Sequence, residues 1–195
     1  MSSRILTIAR LTQKYMRVIN MFNKPYELKG KHASYIRFLN AYTQRLDKEA
    51  KVAGIFEVAA DIYMIAPLIG AAYNLRSPVD NDTQDSFTIF GDAIINRQAS
   101  LETVYRLIML SEKSVNLSPS ERIERAFKDD EILENLNANM ELFHQYMRGG
   151  IEWLYEHINE GATTQNDYLE KVRELVKLYA EDFEINTSME SDNLT

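Results

Sequence analysis

Between Ile55 and Leu75 the chain is almost wholly apolar, and small residues (Ala59, Ala60, Ala66, Gly70, Ala71, Ala72) alternate with large ones. How closely two helices approach depends on the side chains at their contact. Small residues at this density therefore predict a central helix against which others pack tightly. Glu57, Asp61 and Pro67 interrupt the apolar run over Gly54–Tyr73. That makes a buried helix the better reading than a membrane span, and Pro67 predicts a kink or a division into two helices.

The segments on either side also read as helix. With about 100° per residue, Ile8, Leu11, Tyr15, Val18, Ile19 and Phe22 gather on one side of a helix over Ser3–Phe22, and Arg10, Lys14 and Arg17 gather on the other. Pro25 and Gly30 punctuate Asn23–Gly30. A second helix is expected from His32 to about Val52, with Tyr35, Phe38, Leu39, Tyr42 and Leu46 as its stripe. Ser77–Ser86 is polar and turn-rich. Phe87–Ile95 reads as a short strand or an extended piece, and strand is disfavoured because no partner strand is evident. Leu101–Ser114 is an amphipathic helix. Ser118, Pro119 and Glu121 form a capping-box start for a helix reaching about Lys128. Glu131–Glu160 is long, with Gly149-Gly150 marking a break or a close helix contact. Thr164–Phe183 is the last helix, and Ile185–Thr195 is a polar tail expected to fray.

Charge divides the chain. Residues 1–52 hold eleven Lys/Arg and three Asp/Glu, and the remainder turns the total to −7. Cations spread over one surface suit a phosphate backbone, where each contact releases counterions. The interleaved Tyr15, Tyr26, Tyr35 and Tyr42 add hydrogen bonds to phosphate or stacking on bases. The nucleic-acid-binding candidates are Arg10, Lys14, Arg17, Lys29, Lys31 and Arg37. The competing readings are that these cations dock on the acidic remainder of the same chain or of a second copy, or face an anionic membrane. Cysteine is absent, which excludes disulfides, thiolate metal sites and Cys nucleophiles and accords with cytoplasm. Arg4, Arg10, Lys14 and Arg17 interrupt any secretory h-region, while the basic, acid-free N-terminus shares features with a mitochondrial transit peptide.

No constellation points to catalysis. Glu57 and Asp61 sit four residues apart on the most apolar helix and call for compensation by Arg76 or Arg106, by a metal, or by solvent. Glu141-x-x-His144 has the spacing used in helical di-iron proteins, but it occurs once, so no metal site or other cofactor is expected. Asp80–Asp85 looks like a calcium loop, yet an EF-hand's sixth and twelfth positions, Gly and Glu, are here Asp85 and Gly91. His32, His144 and His157 are scattered. There is no G-x-S-x-G elbow and no Gly-rich phosphate loop. Trp153, Phe143, Tyr146, Leu154 and Ile158 read as core.

Four stretches carry a resemblance: Ala59–Arg76 (AADIYMIAPLIGAAYNLR), the extended Phe87–Ile95, Leu107–Glu112 (LIMLSE), and Phe143–Leu154 (FHQYMRGGIEWL). In this order, over about residues 54–160, the chain resembles the small helical proteins associated with the bacterial DNA phosphorothioation (Dnd) system. The resemblance implies a bacterial cytoplasmic accessory protein near DNA modification or phage defence, with no catalytic residues to carry over.

The expected fold is all-α, with about six to eight helices in an irregular bundle around the 55–75 helix and room for one short extended segment near 87–95. Residues 1–52 form a basic helical arm packed on an acidic body over 53–184, followed by a flexible acidic tail at 185–195. The expected function is non-enzymatic. Basic N-terminal helices meet a nucleic-acid backbone and the acidic body meets a protein partner. The alternatives are a self-associating scaffold without nucleic acid, and a carboxylate metalloprotein using Glu57, Asp61, Glu141 and His144.

Overall fold

The structure, a computed structural model, describes residues 21–41, 54–113, 115–129 and 132–191. Its elements are β1 (Tyr26–Lys29), α1 (Lys31–Leu39), α2 (Ala59–Ala72), β2 (Ser86–Ile89), α3 (Gly91–Ile95), α4 (Gln98–Ser111), α5 (Pro119–Phe127), α6 (Leu133–Asn159) and α7 (Gln165–Ser191). The architecture is mostly α, as the periodicities predict.

The centre is α2 against α6, the most extensive contact between elements. Residues from Ala59 to Gly70 on α2 are buried on several sides, as a core helix requires. Pro67 does not divide this helix. It removes one N–H donor, for the Tyr63 carbonyl, and the surrounding burial holds the remaining turns together. Nor does Gly149-Gly150 break α6; the pair is where α2 crosses. A methyl on Gly150 would collide with the Ala66 carbonyl, one on Gly70 with the Tyr146 carbonyl, and one on Gly149 with the Leu75 carbonyl. The backbones touch where no side chain fits between them. Phe22, Tyr63, Tyr105 and Phe143 fill the space beside this crossing with edge-on rings. Phe143, Tyr146, Leu154 and Ile158 are core as expected, and Trp153 is partly buried.

Helix ends are set by local chemistry. α2 closes in a Schellman turn, with Leu75 N–H donating to the Gly70 carbonyl at 2.7 Å and Asn74 N–H to Ala71 at 3.3 Å. Asn74 takes the left-handed conformation this requires, at φ 53°. α5 starts with the predicted capping box of Ser118 and Glu121. α7 has a second such box, unread in the sequence. Asp167 accepts from the Thr164 N–H at 2.7 Å and donates its own N–H to the Thr164 hydroxyl. α7 also continues past the expected Phe183 to Ser191.

Two expectations are corrected. The piece expected to be extended over 87–95 is part strand and part helix: β2 pairs antiparallel with β1, Tyr26 opposite Ile89 and Lys29 opposite Ser86, while Gly91–Ile95 coils into α3. Four-residue strands leave too short a pattern for the alternation to register, and β1 lay hidden between Pro25 and Gly30. The helix expected over 32–52 ends at Leu39. Asn40 turns extended and bridges to Phe56 in parallel, while the Leu39 carbonyl accepts from Ile55 and Phe56 at 2.9 and 3.0 Å. A long-range backbone pairing overrides helical periodicity there. Most of the first predicted helix, Tyr42 and Leu46 lie outside the described residues; Phe22, the last member of the first helix's apolar stripe, is in the core.

The glycine crossing yields a prediction. Gly150→Ala should cost at least about 2 kcal/mol through overpacking against a backbone that cannot yield. Gly91→Ala, whose methyl meets Pro25 at ordinary contact distance, should cost less than about 1 kcal/mol. Chemical denaturation of the two variants checks the contrast, and equal costs would contradict the close-crossing account.

Candidate functional site

The basic first quarter and the acidic remainder meet along a charged seam between α1, the 77–86 loop and α6. Gly30 opens it. At φ 56° it turns the chain from β1 into α1, and a Cβ there would strike the Asp80 carboxylate. The Lys31 N–H donates to Asp80 Oδ2 at 2.6 Å, and Asp80 Oδ1 accepts from the Asp82 N–H. These backbone donors hold the Asp80 carboxyl below its usual range. Arg37 donates to Asp85 at 2.6 Å and to the Ser86 carbonyl, and it lies over the Phe87 ring. It lowers the Asp85 carboxyl likewise. The calcium-like loop is thus strapped to α1 by hydrogen bonds to its carboxylates.

Beneath it lies a partly buried cluster, with His32 and Ser77 buried and Lys31 at its exposed edge. His32 Nε2 is 2.7 Å from Glu152 Oε1, Ser77 Oγ is 2.5 Å from the same oxygen, and Lys31 Nζ is 3.0 Å away. Burial pushes the Glu152 carboxyl up, but hydrogen bonds from His32, Ser77 and Lys31 outweigh it and hold it at about 2. A carboxylate only accepts, so both His32 Nε2–H and the Ser77 hydroxyl donate to it. A Ser–His–acid relay needs the imidazole between the other two, using both its nitrogens. Here one nitrogen faces both partners, and Nδ1 has no hydrogen-bond partner among the described residues. Ser77 is a donor to a carboxylate and not an activated nucleophile.

Two further networks complete the interior. Arg148, 2% exposed, donates Nε to the Ser77 carbonyl at 2.8 Å, one terminal nitrogen to the Tyr26 hydroxyl at 2.9 Å and the other to Glu141 at 2.7 Å. His144 stacks on Tyr26, and its Nε2 shares a hydrogen bond with the Tyr63 hydroxyl at 2.8 Å. Burial drives its pKa down to about 3, so the ring is neutral. Glu112, buried at the end of α4, takes both a guanidinium nitrogen of Arg76 at 2.8 Å and the Tyr146 hydroxyl at 3.1 Å. Arg76 reaches it because the Schellman turn at Asn74 redirects the chain.

These contacts reassign several sequence candidates. Asp61 pairs with Arg97 at 2.7 Å, not with Arg76 or Arg106, and Glu57 is exposed. Arg106 caps the Ala126 carbonyl and covers Phe127. Asp61, Glu141 and His144 are each committed to another side chain, and no group of three or more His, Asp or Glu among the described residues is placed to hold a metal. Of the six nucleic-acid candidates, Arg10, Lys14 and Arg17 lie outside the described residues. Lys29 sits 3.8 Å from Glu27, while Lys31 and Arg37 are tied into the seam. Lys31 and Arg37 stand about 120° apart around α1, so an ideal helix does not present them on one face. Missed in the sequence were Glu112, Arg148 and Glu152. For Arg148 and Glu152 the available signal was a charge inside an otherwise apolar stretch of helix.

The seam makes a signed pH prediction. The Glu152 carboxyl sits near 2 folded against an ordinary value of 4.5. Its contribution is therefore full above pH 4.5 and lost as pH falls through 2. Glu152→Gln should cost about 2–3 kcal/mol at neutral pH, and this deficit should shrink toward zero in denaturation curves taken at successively lower pH. A deficit that stays constant down to the acid limit would contradict the assignment.

Three of the four stretches quoted from the sequence supply the Arg76–Glu112–Tyr146 network, and the same stretches carry the glycine crossing. A family model for DNA sulphur modification system-associated protein 4 matches residues 40–193, a span containing all of these features. Among curated proteins and solved structures, none matches the chain. With more than half its length matched, and the matched span built on this core, the chain belongs to the DNA sulphur modification system-associated protein 4 family.

Proposed function

We propose that the protein is a non-enzymatic accessory component of a bacterial DNA sulphur modification system. Its acidic helical body docks on a protein component, and its basic N-terminal residues contact a nucleic-acid backbone without base specificity. The observation that carries this reading is the division of the chain by the family match. The matched span covers the acidic body together with residues 40–52, and Arg10, Lys14, Arg17, Lys29, Lys31 and Arg37 all fall before it. An accessory role is supported from the other side by the interior chemistry, since Ser77, His32, His144, Glu112 and Glu152 are all engaged in holding helices together.

Within the basic set, Arg10, Lys14 and Arg17 carry most of the proposed binding, because they share one side of the predicted helix. Lys29 and Lys31 keep 48% and 46% of their side-chain surface exposed and add to the same field. Arg37 contributes less, being held by Asp85. No helix among the described residues is long and apolar enough to cross a membrane.

Fluorescence anisotropy with single- and double-stranded DNA and RNA across a salt series tests the proposal. Wild type should bind with an affinity that falls steeply with salt. Replacing Arg10, Lys14 and Arg17 together with Glu should abolish binding at moderate salt and flatten the salt slope by about three phosphate contacts' worth. Undiminished binding by the triple variant would remove this face from the account. Absence of wild-type binding even at low salt would remove nucleic acid altogether.

A further inference from the structure

α7 is apolar on two adjacent faces, and the body covers one of them. Tyr168 is buried, and Leu175 packs partly buried against the core. On the next face Leu169, Val176 and Tyr179 remain 53%, 67% and 51% exposed. Leu169, Val172, Val176 and Tyr179 follow one another in alternating steps of three and four residues, and Phe183 continues the spacing in the sequence. That is the repeat of a two-helix seam, in which each side chain inserts between residues of a facing helix. Val176 and Tyr179 also line an apolar groove of about 480 Å³ whose other walls include Ile65, Leu68 and Trp153. The exposed stripe and the groove are continuous.

The charges along α7 indicate what faces it. Before Leu178 the helix balances Asp167, Glu170 and Glu174 with Lys171, Arg173 and Lys177, and each of these cations pairs with a glutamate three or four residues away on the same helix. From Leu178 to Ser191 it carries Glu181, Asp182, Glu184 and Glu190 and no Lys or Arg. Two such helices side by side in parallel would set acidic ends against each other. Reversed, each acidic end lies along the other's charge-balanced half, which holds all three cations, and the like-charge repulsion is relieved. We propose that two copies of this protein associate by pairing their α7 helices antiparallel along the Leu169–Val176–Tyr179 stripe, with Val176 of each packing on Tyr179 of the other. The interface is isologous and closes at a dimer.

Sedimentation analysis across a micromolar concentration series, combined with spin-label distances, tests this. Wild type should show a concentration-dependent monomer–dimer equilibrium. Val176→Glu should weaken it at least about tenfold with helical content unchanged, since the position is exposed. Because the chain has no cysteine, a nitroxide on Asn166→Cys reports one distance per dimer. The antiparallel register places the two labels roughly 35 Å apart along the axis at about 1.5 Å rise per residue, whereas a parallel pair would hold them within roughly 15 Å. A monomer at every concentration would overturn the proposal and assign the stripe to a different protein or to another part of this chain. A dimer unaffected by Val176→Glu, or a short label distance, would overturn it as well.

Discussion

Everything in this fold is arranged around one close contact, the crossing of α2 and α6 at Gly70, Gly149 and Gly150. Two helices this near exchange dispersion contacts along their backbones, and any added methyl must displace a carbonyl group rather than a flexible side chain. The crossing sets where the ends of both helices lie. The Schellman turn after α2 can then aim Arg76 at Glu112, and the middle of α6 can bring Tyr146, Arg148 and Glu152 to three separate neighbours. A looser crossing would leave those buried polar groups short of their partners, at the cost that unpaired polar atoms carry away from water.

The polar interior explains how a small helical body keeps one arrangement of its elements. Apolar surfaces slide and repack with modest loss, whereas a guanidinium with three separate acceptors fixes the residues around it. Arg148 ties the 77–86 loop and β1 to α6, Glu112 ties α4 to the end of α2, and Glu152 ties α1 to α6. Because the basic and acidic parts of the chain meet in these ties, part of the charge asymmetry is spent inside the molecule. Arg4, Arg10, Lys14, Arg17, Lys24 and Lys29 take no part in these ties and fall before the family-matched span.

Legibility in the sequence followed the length of the pattern. α2, α4, α5, α6 and α7 were all foreseen because each spans enough turns for its stripe or cap to register, and the Ser118 capping box was read to the residue. β1 and β2 were not read as a pair, since four residues each offer almost no periodicity and their pairing spans the distance from Tyr26 to Ile89. The end of α1 at Leu39 was missed for a related reason: it depends on hydrogen bonds with Ile55 and Phe56, which no local window contains. Among the site residues, Lys31 and Arg37 were identified as cations but not as partners of Glu152 and Asp85. Glu112 and Arg148 were quoted within motifs without a role. Charge is visible in a sequence; what it faces is a property of the fold.

Amide hydrogen exchange read by mass spectrometry on the full chain tests the central role of the crossing most directly. The account predicts that Ile62–Gly70 and Phe143–Leu154 are the slowest-exchanging segments and open together, with α3 and α5 exchanging well before them. Exchange in Ile62–Gly70 as fast as in α5, or protection of α6 persisting after α2 has opened, would contradict it.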